Sequence, residues 1–504
     1  MINDKSAKFI LFIILTAFLF RGIFLVAVFP IFRGQDEARH YNTIQYLAND
    51  KQKECQDKIN KQDLESRQDK QDLSTYRYSD EIREVALVSQ NKQVRGSYYD
   101  KIIFTNNLNG LGEKKFKQQQ HSKTQHLCPP DIASSMFNKD NLGIYHKSLR
   151  GVENLLINKN IFIRYDVLRI ISVLLGIIFL YLAYRIFSVV GFSKRQSLIL
   201  IAIISFQPKL AIYFTNINYD VFLIPIWTWF VLLGVRILKS GWNIWQGAGL
   251  LILFVLGIKT KPTAVALIGV VIYLIIYSLW KNKKKIKYGK ILLSVAVAVS
   301  IFSIYFISRK VDVLTLFTTN SLGLYLGKSF SKIYGSSRDY WGAIGWSGSI
   351  WPMIYVKIIW LVEWVAWLGL GMFIVCLWVK NYAKAQSLQF CKGWTFVKLQ
   401  KQKKYLWFML VSILALQVGI RLADWKVFME SGSLILGTPG RYWLPNIVPH
   451  FVLLAMGLKS IWGFLKNKQL REKYFELSLL MFLVLMILYW SYEVFSIIIP
   501  RFYL

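Results

Sequence analysis

The stretch FPIFRGQDEARHY, residues 29–41, directly follows the first long apolar run and decides how the rest of the chain is interpreted. It places two adjacent carboxylates, Asp36 and Glu37, just beyond that run. The apolar spacing that follows predicts a helix over 36–49, with Asp36 and His40 on one face. Acids at this position can meet a lipid head group, or they can simply offset the dipole of a solvated helix.

Composition and hydropathy identify a polytopic membrane protein. The chain has 504 residues, 54% hydrophobic and 16% aromatic, which is too apolar for an ordinary soluble protein. We predict an all-α fold with about eleven transmembrane helices in one domain, 1–504, and one large external loop, 31–160. The predicted spans cover residues 9–30, 164–188, 196–215, 221–238, 243–258, 262–280, 289–308, 353–379, 405–424, 444–464 and 475–498.

The basic residues of the short loops predict the orientation. They are concentrated at 281–290, 380–404 and 466–473, which the positive-inside rule places in the cytoplasm together with the N-terminus. Asp36 then faces the exterior of what we expect to be a bacterial plasma membrane. The net charge of +34 fits anionic lipid head groups, and no nucleic-acid-binding signature accompanies it.

The large loop contains no clear site of its own apart from its first residues. The part over 51–123 is polar and poor in core residues, and we expect it to be partly flexible. Cys55 and Cys128 share this loop, where an oxidising compartment would permit a disulfide. Irregular spacing favours surface histidines over a metal site for His121, His126 and His146.

Several charged residues lie within or beside the following spans. Lys209 lies inside the third span, where an ionisable residue is a functional candidate by default. Asp220 begins the fourth span, and its carboxylate either belongs to a functional site or caps the helix that follows. Lys259 and Lys261 precede Pro262. They belong either to a phosphate-binding site at the start of a helix or to a plain turn between two spans.

The C-terminal half adds a basic and aromatic set on the same side. Arg338 precedes Tyr340 and Trp341, which suit an interfacial aromatic belt better than a sugar-stacking platform. Arg441, followed by Tyr442, stands at the start of the tenth span. Its guanidinium suits a phosphate or pyrophosphate, and the alternative is an interfacial arginine that reaches toward water.

The chain has no Walker loop, GxGxxG element or other nucleotide-binding motif. The acids and bases instead share the side of the membrane opposite the cytosolic nucleotide supply. This distribution indicates a substrate that arrives through the lipid.

The order of these motifs resembles the GT-C superfamily of membrane glycosyltransferases. More specifically, it is similar to a bacterial multi-spanning family of that clan whose members mostly carry an unknown-function label. The chain departs from that family in its longer Lys/Gln-rich first loop, which lacks a clean Pro-x-x-Tyr-Tyr element. The matching motifs are QDEARH at 35–40, QP at 207–208, NYD at 218–220, KPT at 261–263, YWGAIG at 340–345 and GRYWLP at 440–445.

The resemblance implies that a sugar passes from a polyprenyl-phosphate donor to an acceptor hydroxyl on the outer face of the membrane. The acceptor would be a wall polymer, a lipid glycan or a protein. By this resemblance Asp36 acts as base or metal ligand, Glu37 supports it, and Asp220 is a second acid. Arg441 and Lys261 would contact the phosphate. Whether Asp36 and Asp220 hold a divalent cation, Mg²⁺ or Mn²⁺, stays open.

The expected function is therefore an inverting glycosyltransferase. The main alternative is a transporter or flippase of lipid-linked sugars, with Lys209 and Glu363 lining its path. A third is a membrane scaffold whose first loop binds partners. The residues expected to bind substrate are His40, Lys209, Asp220, Lys259, Lys261, Arg338, Tyr340, Trp341, Arg441 and Tyr442.

Overall fold

A computed structural model of the chain describes residues 3–29, 31–32, 34, 36–48, 143–281, 321–344, 349–350, 353–379, 396–431, 439–465 and 467–500. The predicted span 289–308 and most of the predicted loop lie outside the described residues. The same holds for Cys55 and Cys128, and for His121 and His126.

The described residues are almost entirely helical. In chain order the helices are α1 (Asp4–Val28), α2 (Glu37–Ala48), α3 (Ile144–Leu155), α4 (Ile161–Val190), α5 (Lys194–Ser205), α6 (Pro208–Tyr213), α7 (Asp220–Ser240), α8 (Ile244–Thr260), α9 (Leu267–Lys281), α10 (Ser321–Ser331), α11 (Ile333–Gly342), α12 (Met353–Val379), α13 (Phe396–Ser431), α14 (Ile447–Ile461) and α15 (Lys468–Tyr492). Short 3₁₀ segments cover Pro262–Ala266, Gly440–Asn446 and Trp462–Phe464, and a π-helical segment covers Glu493–Ile498. Two-residue strands, β1 (Ala343–Ile344) and β2 (Ser349–Ile350), pair antiparallel.

Within the described part of the chain, 8 helices are long and apolar enough to cross a membrane. They coincide with eight of the eleven predicted spans and confirm the all-α polytopic fold class. The predicted fifth span is the shorter helix α8, and its predicted break from the sixth falls between Thr260 and Pro262.

The predicted third span is not one continuous helix. It is divided into α5 and α6 because Pro208 cannot donate a backbone hydrogen bond and starts a new helix. The side chain of Gln207 caps that helix, since its Oε1 accepts the N–H of Leu210 at 2.5 Å. This break places Lys209 at the first turn of α6 rather than in the middle of a span.

A buried polar network joins α7, α13 and the 3₁₀ segment Gly440–Asn446. The indole N–H of Trp227 on α7 donates to Oδ1 of Asn446 at 2.9 Å. The hydroxyl of Ser412 on α13 donates to the same oxygen at 2.7 Å, and the Asn446 amide donates back to the Ser412 carbonyl at 2.8 Å. Because buried polar groups cost free energy unless they are paired, this network fixes the end of the segment Gly440–Asn446.

A second buried contact holds the first loop to the bundle. Glu153 on α3 forms an ion pair with Arg164 on α4, and both side chains are almost completely buried. The hydroxyl of Tyr41 on α2 donates to the same carboxylate at 3.2 Å. Helices α2 and α3 are thereby both anchored to α4, beside the loop that carries Asp36.

Candidate functional site

Glu37 is the buried anchor of the loop between α1 and α2. Its two oxygens form a bidentate ion pair with Arg169 of α4, Nε to Oε1 and Nη2 to Oε2, both at 2.9 Å. The backbone N–H of Gly34 donates to Oε2 at 2.9 Å, and that of Ile217 donates to Oε1 at 3.0 Å. The carboxylate is fully buried, so its hydrogen-bonding capacity is used inside the protein.

The backbone around this anchor is strained at two positions. Phe32 and Asp36 have φ of 61° and 59°, the left-handed region that side chains other than glycine rarely adopt. A Cβ at Gly34 would lie 2.6 Å from Cγ of Asn216 and 2.7 Å from Oε2 of Glu37, so this position requires glycine. Strained backbone persists only where its surroundings over-determine it, as the contacts of Glu37 do here.

The same backbone conformation aims Asp36 at the 3₁₀ segment Gly440–Asn446, which precedes α14. Its Oδ2 lies 2.9 Å from Nη2 of Arg441, and the Asp36 side chain keeps 19% of its surface exposed. Gly440 lets the preceding backbone pack directly on α11, because a Cβ there would collide with the backbone of Ser336 and Tyr340. Asp36 is therefore both paired and reachable.

Asp220 and Lys261 form a second pair. Lys261 Nζ lies 2.7 Å from Oδ1 of Asp220, and both side chains are buried. The ammonium also lies over two aromatic rings, 4.0 Å from the ring centre of Tyr442 and 4.7 Å from that of Tyr219. The aromatic contacts and the carboxylate together hold this cation in place.

Asp339 and Lys209 form a third pair, with Nζ 2.7 Å from Oδ1. The Lys209 side chain is 2% exposed and that of Asp339 18%. The other oxygen of Asp339, Oδ2, is buried without a hydrogen-bond partner among the described residues. Sequence reasoning missed Asp339, although its position between Arg338 and Tyr340 in a polar stretch was an available signal.

These three ion pairs lie together, and we refer to them as the three-pair cluster: Asp36–Arg441, Asp220–Lys261 and Asp339–Lys209. The charge of Arg441 interacts with those of both Asp36 and Asp220. The charge of Lys209 interacts with that of Arg441. The cluster draws on the α1–α2 loop, α6, the start of α7, the residue that follows α8, α11 and the 3₁₀ segment Gly440–Asn446.

A buried histidine pair lies beside the cluster. His40 Nδ1 and His146 Nε2 are 2.9 Å apart, and the rings are stacked with centroids 5.2 Å apart. Burial lowers the pKa of His146 to about 3. Burial, together with the charges of His146 and Arg441, holds the pKa of His40 well below its usual range. His146 is thus not the surface histidine that we expected, and both rings are neutral near pH 7.

Four other predicted site residues, Lys259, Arg338, Tyr340 and Trp341, are not members of the three ion pairs. Lys259 is exposed in the last turn of α8, and Arg338 is half-buried. Tyr340 and Trp341 are buried in the bundle, so neither ring belongs to an interfacial belt or lies open to a sugar. Their burial corrects both interpretations of this motif.

The residues described here do not fit the expected divalent-cation site. In the described part of the chain, no group of three or more His, Cys, Asp or Glu side chains is arranged to hold a metal ion. Asp36 and Asp220 each bind a cationic side chain instead, so a metal would have to displace Arg441 or Lys261.

The comparison with known families concerns the segment that carries two of the three cations. Residues 161–306 match the family described as dolichyl-phosphate-mannose-protein mannosyltransferase. The family is a GT-C family. Over this segment, the match confirms the resemblance to the GT-C superfamily. Neither a curated protein nor a solved structure matches the chain.

The segment that matches this GT-C family contains Lys209, Asp220 and Lys261. Asp36 and Arg441 lie outside it, in parts of the chain that the fold brings to the same place.

Proposed function

We propose that the protein transfers a sugar from a polyprenyl-phosphate donor to an acceptor hydroxyl on the outer face of the membrane, with inversion at the anomeric carbon. The observation that carries the proposal is the ion pair between Asp36 and Arg441 within the three-pair cluster. In this pair a reachable carboxylate contacts one of the three cations of the cluster, each of which suits a phosphate. The matched GT-C family supports the reaction class.

In the resting state each cation of the cluster is neutralised by a carboxylate. A donor phosphodiester carries one negative charge, and it competes with Asp36 for the guanidinium of Arg441. When Arg441 turns to the phosphate, Asp36 loses its cationic partner and becomes a stronger base. Binding of the donor thus prepares the carboxylate for the acceptor.

The transfer step replaces one bond at the anomeric carbon with another. Asp36 accepts the proton of the acceptor hydroxyl, whose oxygen forms a bond with the anomeric carbon. The bond between that carbon and the phosphate oxygen breaks, and its electron pair stays on the phosphate. Arg441 and Lys261 stabilise the charge that develops on the departing polyprenyl phosphate. Attack opposite the leaving group inverts the carbon.

Glu37, which we expected to act with Asp36 in catalysis, receives a different role in this proposal. Its oxygens are fully engaged with Arg169 and with two backbone N–H groups. A carboxylate so engaged cannot reach a substrate without breaking a buried ion pair. Glu37 therefore positions the strained turn that presents Asp36.

In the alternative function, a transporter of lipid-linked sugars, Lys209 and Glu363 would line the path of the sugar head group across the membrane. Lys209 is bound to Asp339, and Glu363 lies 3.2 Å from His450, so each has a partner within the packed bundle. These contacts favour fixed positions over a path for a polar head group.

Reconstitution separates the two functions. Purified protein in liposomes, supplied with an undecaprenyl-phosphate-linked sugar and candidate acceptors, is assayed for sugar transfer and for movement of the donor across the bilayer. We expect transfer without translocation. Translocation of the donor without any transferred sugar would reject the enzyme in favour of the transporter.

A further inference from the structure

A chain of three side chains, Tyr340, His450 and Glu363, runs from the three-pair cluster into the membrane-spanning helices. The Tyr340 hydroxyl lies 3.1 Å from Nδ1 of His450, and Nε2 of that ring lies 3.2 Å from Oε1 of Glu363. The two ring nitrogens of His450 thus connect the Tyr340 hydroxyl to the Glu363 carboxylate.

This polar chain is supported by closely packed helices. Gly369 of α12 and Gly457 of α14 bring the two backbones into direct contact, since a Cβ on either glycine would collide with the other helix. Trp367 of α12 stacks on the His450 ring with an interplanar angle of 19°. The ring of His450 is thus held by this stacking contact as well as by the contacts of its two nitrogens. Ionisable groups within spanning helices are costly and are retained where they serve a function.

The backbone of Tyr340 is where this chain meets the cluster. The Tyr340 carbonyl accepts the side-chain amide of Gln207 at 2.6 Å, and Gln207 caps the helix that begins with Lys209. The preceding residue, Asp339, is the carboxylate partner of Lys209. Gly440, next to Arg441, packs against the backbone of Tyr340 on its other side. The Tyr340 backbone therefore contacts residues that neighbour two of the three cations, Lys209 and Arg441.

We propose that Glu363 and His450 are positioning residues for the phosphate-binding cations. They fix the Tyr340 hydroxyl, and through the Tyr340 backbone they fix the relative positions of Lys209 and Arg441. The inference rests on the proposed function, because it assigns these cations to the polyprenyl phosphate. It assigns no contact with substrate to Tyr340, His450 or Glu363.

The test compares binding of undecaprenyl phosphate to purified wild-type protein and to three variants. Tyr340→Phe removes only the hydroxyl, His450→Phe removes both ring nitrogens, and His450→Gln keeps one donor and one acceptor. We expect the first two to weaken binding about tenfold, less than the 10²-fold that a 1 Å misplacement can cost. His450→Gln should restore most of the affinity.

Two measurements distinguish positioning from general stability. The melting temperature of each variant is recorded, and Glu476→Gln, which breaks an exposed ion pair with Arg195, is the matched control. Wild-type affinity in both Tyr340→Phe and His450→Phe would overturn the inference. So would a loss in His450→Gln as large as in His450→Phe. If wild-type protein does not bind undecaprenyl phosphate, the proposed function itself fails, which is a separate outcome.

Discussion

Asp36 and Arg441 are 405 positions apart in the chain, yet Oδ2 of one lies 2.9 Å from Nη2 of the other. Their contact brings the loop after the first spanning helix to the 3₁₀ segment Gly440–Asn446 that precedes α14. No local spacing in the chain enforces the pairing. It depends on the strained turn at Asp36 and on the packing of Gly440 against α11.

Arg441→Lys tests the role of the guanidinium. Lysine keeps the charge but loses the planar fork that binds two phosphate oxygens at once. We expect kcat for sugar transfer to fall by about 10²-fold, the scale of losing one donor at a developing oxyanion. The matched control is Arg185→Lys, because Arg185 lies partly exposed on α4 and donates to Tyr181. Equal rates for Arg441→Lys and wild type would remove Arg441 from the transition state.

Glu37→Gln tests the anchor beneath Asp36. The substitution leaves Arg169 buried without its carboxylate, and breaking a buried pair in this way costs about 3–5 kcal/mol. We expect a marked loss in the free energy of unfolding. Glu476→Gln breaks the exposed pair with Arg195 and should cost less than about 1 kcal/mol. A Glu37→Gln protein as stable as this control would contradict the role of the anchor.

The histidine pair predicts how stability depends on pH. His146 has an ordinary pKa of 6.5 that burial lowers to about 3 in the folded protein. Below pH 6.5 the unfolded chain binds protons that the folded protein excludes, so folding becomes less favourable as the pH falls toward 3. His40, whose pKa is also lowered, adds to the same trend.

His146→Gln removes part of this proton linkage while keeping a donor and an acceptor for His40. We expect the variant to lose less melting temperature than wild type between pH 7 and pH 4. The charges of Arg441 and Lys261 near His40 are unchanged in the variant, so they cancel in the comparison. Identical pH dependence in both proteins would show that the histidine pair does not set this trend.

A chelator titration tests whether the carboxylates of Asp36 and Asp220 bind a metal ion in the active protein. Because Asp36 and Asp220 bind Arg441 and Lys261, we expect transfer activity to persist in excess EDTA. Loss of activity on chelation, with recovery on adding Mg²⁺ or Mn²⁺, would mean that a metal displaces these cations. Protein carried through the same titration with EDTA already saturated by Ca²⁺ is the control.

The sequence allowed the fold class and most of the spans to be predicted, because twenty-residue apolar runs are a strong local signal. It also identified both residues of the pairs Asp36–Arg441 and Asp220–Lys261 as candidates, since each stands at the end of a span. The positive-inside pattern placed them on one side, which is still a prediction.

The partners of these residues could not be predicted from local spacing. Arg169 is three residues from Asp166, which favours an ion pair on one helix face, but the guanidinium forms its bidentate pair with Glu37. Tyrosine is a residue type that is common at membrane interfaces, yet the hydroxyl of Tyr340 faces His450 inside the bundle. Such contacts join residues more than a hundred positions apart, and one sequence holds no signal for them.

The most direct test of the account is the rate of sugar transfer by Asp36→Asn, with Asp4→Asn as control. Asp4 forms an exposed ion pair with Lys194 at the start of α1, so its loss should leave the rate unchanged. Asparagine at position 36 can still accept a hydrogen bond from Arg441 but cannot take up a proton. We predict a decrease of about 10²–10⁴-fold in a protein that remains folded. Wild-type turnover in a folded Asp36→Asn protein would contradict the account.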